Sequence, residues 1–228
     1  MIASIANLGI PKLAIDHHVA KRTPLFLVKD FMHSFMQLWK DPLGQVSLAV
    51  TTLFWGAGTA LRLIILSWGT VALGLSLEQA TELTAVVAVG IGIGAGIAGK
   101  DVPLAHAVKV LKIGIYMGLA LIVSIFVTDW RFAIPLLLVI GGLGGYFVIP
   151  MNALLQHRGH RLMGAGHSIA VQNFNENLGI LAMLGGYALM LKAELSTSVI
   201  TIVMGLVMIV VTAWLMKVHG HDQDHGEV

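Results

Sequence analysis

Residues 165–190 read AGHSIAVQNFNENLGILAMLGGYALM, an apolar run broken at 172–177 by Gln172, Asn173, Asn175, Glu176 and Asn177. A helix needs about 20 mostly apolar residues to cross a bilayer, so the fold turns on whether this stretch is a loop or a span with one wet side. At about 100° per residue, Ser168, Gln172, Asn175, Glu176 and Gly179 fall on one face and Asn173 and Asn177 on its shoulder, with Val171, Phe174, Leu178 and Leu181 assigned to the opposite face. The segment therefore reads as a two-sided helix. Glu176 stands about eleven residues past its start, roughly 16 Å along the axis and near the middle of a ~30 Å hydrocarbon core.

The rest of the chain supports a membrane reading. Of its 228 residues 57% are hydrophobic and 11% charged, and the mean hydropathy is +0.85, whereas a soluble domain has about 25% charged residues. With 26 glycines, 11 methionines and 7% aromatics, helices packed through small residues fit better than a barrel, whose strands would alternate apolar and polar positions. The expected class is an all-α integral membrane protein with six transmembrane helices at about 44–68, 79–99, 108–127, 132–155, 165–190 and 196–217. A formal charge of +2, with the basic residues spread along the chain, makes nucleic acid a poor fit as a partner. The absence of cysteine excludes disulfides and thiol chemistry.

The basic residues give the orientation. Lys12, Lys21, Arg22, Lys29, Lys40, Lys100, Lys109, Lys112, Arg158, Arg161 and Lys217 fall on one side of the six spans, and Arg131 and Lys192 on the other. The positive-inside bias puts the first side, and both termini, in the cytoplasm. Residues 1–10 read as the last turns of a truncated transmembrane helix, 11–43 as a cytoplasmic linker, 44–217 as the six-helix domain and 218–228 as a cytoplasmic His/Asp-rich tail with no fixed metal geometry. Within the linker, residues 24–40 carry Val28, Phe31, Met32, Phe35 and Trp39 on one face and Lys29, His33, Gln37 and Lys40 on the other. Thr23-Pro24 starts this amphipathic helix and Asp41-Pro42 ends it, and it is expected to lie on the membrane surface.

Two charges sit deep in spans, Glu176 and Arg62, and Arg62 shares its face with Trp55, Gly58, Thr59 and Leu66. Insertion scales charge about 2.5–3.5 kcal/mol for such a residue, so it usually faces a cavity or a partner. An Arg62–Glu176 ion pair that merely joins helices is the plain alternative to a hydrated binding site. Gly94-x-Gly96-x-x-Gly99 matches a dinucleotide fingerprint only formally, lacking the strand that such a site requires. Gly90/Gly94 and Gly92/Gly96 read instead as small-residue helix contacts, with Gly141, Gly142, Gly144 and Gly145 doing similar work, and Pro150 as a kink. No cofactor or metal is expected, and His157, His160 and His167 lack a paired acid at a catalytic spacing.

Three blocks, SLAVTTLFWGAGTALRLIILSWGTVALGL (47–75), PMNALLQHRGH (150–160) and GAGHSIAVQNFNENLGILAMLG (164–185), resemble in order and spacing the bacterial lysophospholipid transporters of the major facilitator superfamily. The likeness covers the second half of such a carrier, so the six spans correspond to one half of a major-facilitator-type bundle. The loop GKDVPLAHAVK (99–109) departs from the charged pattern common there. What the resemblance implies is transport of lysophosphatidylethanolamine and lysophosphatidylglycerol from the outer to the inner leaflet of the inner membrane, where a partner acyltransferase/acyl carrier protein synthetase re-acylates them. It also implies that Arg62 and Glu176 line the substrate path, with Gln172, Asn173, Asn175, Asn177 and Thr59 beside them, and that the complementary six-helix half, or a second copy, completes the cleft. The competing readings are a half-carrier for drugs or small organic anions, and a non-transporting membrane subunit.

Overall fold

The computed structural model describes residues 23–219, and no strand occurs among them. The expectations for residues 1–10, for the linker up to residue 22 and for the tail from residue 220 lie outside the described residues. Seven helices follow in order: α1 (Pro24–Lys40), α2 (Pro42–Val71), α3 (Leu77–Asp101), α4 (Leu111–Val123), α5 (Trp130–Met163), α6 (Ala165–Lys192) and α7 (Thr197–His219). Tighter 3-10 turns extend α4 on both sides, Leu104–Val110 and Ser124–Phe126. Among the described residues five segments are long and apolar enough to cross a membrane: α2, α3, α4 with its flanking turns, α5 and α7. The protein is a multi-pass, all-α membrane protein. At 28 residues α6 is long enough as well, but its polar stretch keeps it out of that set.

The helices alternate in direction, as polar contacts at the two ends of the bundle show. Asp41, before α2, receives the Arg158 guanidinium from the end of α5, with Nε 3.0 Å from Oδ2 and Nη2 closing on the other oxygen. At the far end the Ser67 and Thr197 hydroxyls, from the end of α2 and the start of α7, are 2.7 Å apart. Asp41 also accepts a hydrogen bond from the Gly44 amide at 2.7 Å. One carboxylate thus caps α2 and ties it to α5, in the favoured place for an acid at a helix N-terminus.

Packing follows the glycines. The most extensive interfaces are α3 on α5, α4 on α7 and α2 on α6. A Cβ added at Gly94 would fall 1.9 Å from the Gly142 carbonyl oxygen, one at Gly145 2.1 Å from that of Ile91, and one at Gly141 2.2 Å from that of Val87. Gly118 meets Gly205 across α4 and α7, and Gly56 meets Gly179 across α2 and α6, each Cβ position lying under 3 Å from a backbone oxygen. Where lipid tails are as apolar as the side chains, such close approach replaces the hydrophobic drive that packs soluble helices. Phe147, Met151, Leu154 and Met208 fill the centre.

Some expectations are corrected. Gly92 and Gly96 make no helix contact and have open space where a side chain would be, so only the Gly90/Gly94 register is used. The stretch left between the expected spans 132–155 and 165–190 is helical almost throughout: α5 runs unbroken through Pro135 and Pro150 to Met163, and Gly164 alone makes the reversal. Its φ of +80° and ψ of 158° explain how one residue suffices, because only glycine reaches that region without strain. Likewise α7 continues through Val218 and His219, which the tail was expected to hold. The aromatic face of α1 does not all lie free on a surface: Phe31, Phe35 and Trp39 pack beside a cluster of Leu38, Leu48, Leu155, Met163 and Val171, leaving Val28 and Met32 exposed. Val171, grouped with Phe174, Leu178 and Leu181 on the opposite face, is instead fully buried in that cluster while those three are exposed.

Gly94→Ala is expected to lower the stability of the protein in detergent by about 1–3 kcal/mol, the usual cost of forcing a methyl into a closed contact. Gly92→Ala is expected to leave stability unchanged or slightly raised, since it adds helix propensity in open space. Equal melting temperatures for the two variants would contradict the glycine register.

Candidate functional site

The polar stretch of α6 divides into groups with different neighbours. Gln172 and Glu176, one turn apart, face α5, where Asn152 has come round beside them. The Gln172 amide nitrogen donates to Asn152 Oδ1 at 2.9 Å and to Glu176 Oε1 at 2.8 Å. From α2 the Trp55 indole faces the same carboxyl. Glu176 and Gln172 are half-buried, open to one side and fixed by their neighbours on the other. A carboxylate oriented by a side-chain amide, with an indole beside it and part of its acceptor capacity open, can hold an ammonium or accept hydrogen bonds from hydroxyls.

Asn175 is different. It is buried, its amide nitrogen donates to the Val171 carbonyl at 2.9 Å, and its Oδ1 accepts from the Trp39 indole at 3.3 Å. With Phe174 edge-on to Phe31 and Phe35, at ring separations of 5.3 and 6.0 Å, it ties α1 to α6. His167 at the start of α6 adds a contact to Asp30 of α1, 2.8 Å from Nε2 to Oδ2. Asn173 and Asn177 are exposed, and the Asn177 amide turns back to the Asn173 carbonyl at 2.7 Å.

Arg62 belongs to a second place. It is exposed on α2, on the same stripe as Trp55 and Gly58, and lines a cavity of about 290 Å³ between α2, α3, α4 and α5. Phe54, Leu61, Ile91, Met117, Leu121 and Ile140 are among its walls. Arg62 is the charged residue of the lining, and Thr84 the other residue with a hydrogen-bonding side chain, its hydroxyl engaged with the Thr81 carbonyl at 2.6 Å. Thr59, one turn before, is half-buried and donates to the Trp55 carbonyl at 2.9 Å.

The two deep charges are therefore not a pair. Among the described residues the ion pairs are Arg158–Asp41 and His167–Asp30, and neither contains Arg62 or Glu176. Seven residues separate Trp55, beside Glu176, from Arg62, about 10 Å along α2, so the acid and the guanidinium stand at two levels of one open face. Asn152 was not singled out from sequence. Its only signal was a carboxamide two residues after Pro150 in an apolar span, and its meeting with Gln172 depends on the hairpin at Gly164.

The chain was compared with known proteins. No family model matches it, and no solved structure matches it. Two similar proteins are the lysophospholipid transporter LplT of Serratia proteamaculans, 46% identical over 192 residues, and LplT of Yersinia pestis, 44% identical over 193 residues. The matched segments cover 83% and 84% of this chain but 48% and 47% of those proteins, so the chain spans about half the length of the relatives it matches. Over the matched residues the chain is a homologue of the lysophospholipid transporters.

Proposed function

We propose that this chain forms one half of a major-facilitator-type carrier that moves lysophospholipids, of the ethanolamine and glycerol types, from the outer to the inner leaflet of a bacterial inner membrane. The observation that carries this reading is sequence identity of 46% to a protein named as a lysophospholipid transporter, over a segment that includes both Arg62 and Glu176. In this reading α6 also spans, fifth in order of six, for it runs from the end of the bundle that holds Asp30 and His167 to the turn before Thr197. The end bearing Asp41, Arg158 and Lys100 faces the cytoplasm, where an acyltransferase/acyl carrier protein synthetase restores the missing acyl chain. The complementary six-helix half, or a second copy, covers the face that carries Arg62, Asn173 and Asn177, since exposed polar groups at mid-membrane are costly against lipid.

The chemistry supports it. A lysophospholipid head carries a phosphate, which a guanidinium binds in two-pronged fashion. The ethanolamine type adds an ammonium for Glu176, held in place by Gln172, which Asn152 fixes in turn, and the glycerol type offers hydroxyls to the same oxygens. Asn173 and Asn177 add amides at the edge of the open face, while Asn175 and Thr59 shape it by fixing α1 and the Trp55 turn. The polar face removes the cost of taking the head through hydrocarbon.

Arg62→Ala in the carrier is expected to cut uptake of both lysolipids more than about tenfold, the loss of a charged hydrogen bond worth about 1.5–3 kcal/mol. Drug export with unchanged lysolipid uptake in that variant would favour a different solute. Glu176→Gln is expected to lower ethanolamine-type transport several-fold more than glycerol-type transport, measured side by side with labelled substrates. Equal losses would contradict a role for Glu176 in holding the ammonium. For orientation, alkaline phosphatase fused after Glu194 is expected to be active and fused after Arg161 inactive; the reverse pattern would overturn the proposed topology.

A further inference from the structure

At the end of the bundle opposite Asp41 and Arg158, a second cavity, of about 440 Å³, opens between the first turns of α3 and α5, with Gln79, Glu82, Val86, Trp130 and Ile134 in its walls. We infer that it is a peripheral lipid site: an amine-bearing, two-chain phospholipid of that leaflet seats its head there, the ammonium against Glu82 and the phosphate against Arg131. The seat does not depend on the lysolipid reading. In the proposed topology the leaflet is the outer one.

This cavity is separate from the face that carries Arg62. On α3, Thr84, Val87, Ala88 and Ile91 line the Arg62 cavity, whereas Gln79, Glu82 and Val86 line this one, and around the helix the two sets lie roughly 140° apart. Gly90 and Gly94, drawn against Leu138 and Gly142 of α5, fall between them, so the α3–α5 contact divides the two cavities. Glu82, the sixth residue of α3, is exposed about 8 Å along the helix, and the later residues on its side, Val86, Val89 and Ile93, are apolar. Among the described residues its carboxyl has no ion-pair partner. An unpaired carboxylate at the edge of the hydrocarbon core is costly, and a lipid ammonium is the cation that this depth supplies. Trp130, at the start of α5, is a ring of the kind that sits at head-group level.

Charge selects the head. Of the charged residues in the lining or next to it in sequence, Glu78, Glu82 and Asp129 are acids and Arg131 alone is a base, so an anionic head is repelled and the ammonium of a zwitterion attracted. Asp129 is engaged at the α5 cap, accepting from the Arg131 amide at 2.8 Å, and the Gln79 side-chain oxygen accepts from the Ser76 amide at 3.0 Å. Glu82 is therefore the open anionic acceptor. The Arg131 guanidinium lies 5.7 Å from the centre of the Trp130 ring, a stacked placement that leaves its edge donors for a phosphate. At roughly 30 Å³ per water-sized group the cavity holds about fifteen such groups, room for phosphoethanolamine and its glycerol. The acyl chains then run along exposed Val89 and Ile93 of α3 and Ile134 and Leu138 of α5. A head gripped by Glu82 and Arg131 pins α3 to α5 beyond the reach of their glycine contact.

The full chain, stripped of lipid in detergent, tests this when dioleoyl phosphatidylethanolamine or dioleoyl phosphatidylglycerol is added back, with melting temperature and native mass spectrometry as readouts. The expected result is a melting temperature about 2–4 °C higher with the ethanolamine lipid than with the glycerol lipid, and one ethanolamine lipid retained on the protein. Glu82→Gln, an isosteric change at an exposed position, is expected to abolish that difference and to cut the retained lipid about fivefold or more. Glu176→Gln is expected to keep both effects, which separates this site from the open face. Arg131→Gln is expected to weaken retention of the ethanolamine lipid, and unchanged retention would contradict the phosphate contact. Equal effects of the two lipids on the unmodified chain, or a Glu82→Gln variant that still distinguishes them, would overturn the site. Soluble phosphoethanolamine that gives the same shift without lipid would overturn a lipid as its occupant.

Discussion

Backbone meeting backbone at glycine is the constraint on which this bundle depends. In lipid there is little hydrophobic gain in bringing two apolar helices together, so the energy comes from contact, and contact is closest where no side chain intervenes. Gly94 against Gly142, Gly118 against Gly205 and Gly56 against Gly179 close the interfaces α3–α5, α4–α7 and α2–α6. Because these pairs are drawn tight, the remaining space is concentrated elsewhere, in the cavity between α2, α3, α4 and α5. Gly56 and Gly179 also set α2 against α6 near the level where Trp55 and Glu176 approach each other, Gly56 following Trp55 directly and Gly179 lying three residues after Glu176.

Function follows from what that packing leaves uncovered. A soluble protein that exposed Arg62, Asn173 and Asn177 would need no explanation, but mid-helix in a membrane chain these groups call for water, ligand or a covering partner. The two charges stand at different levels of the open face, and this separation suits a substrate with two unlike ends better than a small ion. Glu176 accepts a hydrogen bond from Gln172, itself bonded to Asn152 of α5, while Arg62 looks onto hydrocarbon walls.

Much of this was legible in the sequence, because composition and span length are strong signals: the helices, their order, the amphipathic α1 and the wet side of α6 all carry local patterns. The failures were of a different kind. Val171 lies one turn before Asn175 and so shares its face, and grouping it with Phe174, Leu178 and Leu181 on the opposite face missed the burial that its place on the wheel implied. Gly92/Gly96 and Gly90/Gly94 have the same spacing, and only the partner helix decides between them. The hairpin at Gly164 was hidden because one glycine with positive φ replaces a loop of several residues. Asn152 and the Trp39–Asn175 bond are products of tertiary contact between helices far apart in sequence, for which a single chain gives no local sign.

The account's central claim is that the stripe of α2 bearing Trp55, Gly58 and Arg62 faces a watery lipid path rather than the bilayer. The chain has no cysteine, so a single Gly58→Cys places one thiol on that stripe, in space the structure leaves open. In nanodiscs, a water-soluble maleimide should label Cys at 58 rapidly and lysophosphatidylethanolamine should slow it, while Cys at the outward Val203 of α7 stays unlabelled. A thiol at 58 that reacts only with apolar reagents, at a rate indifferent to lysolipid, would contradict it.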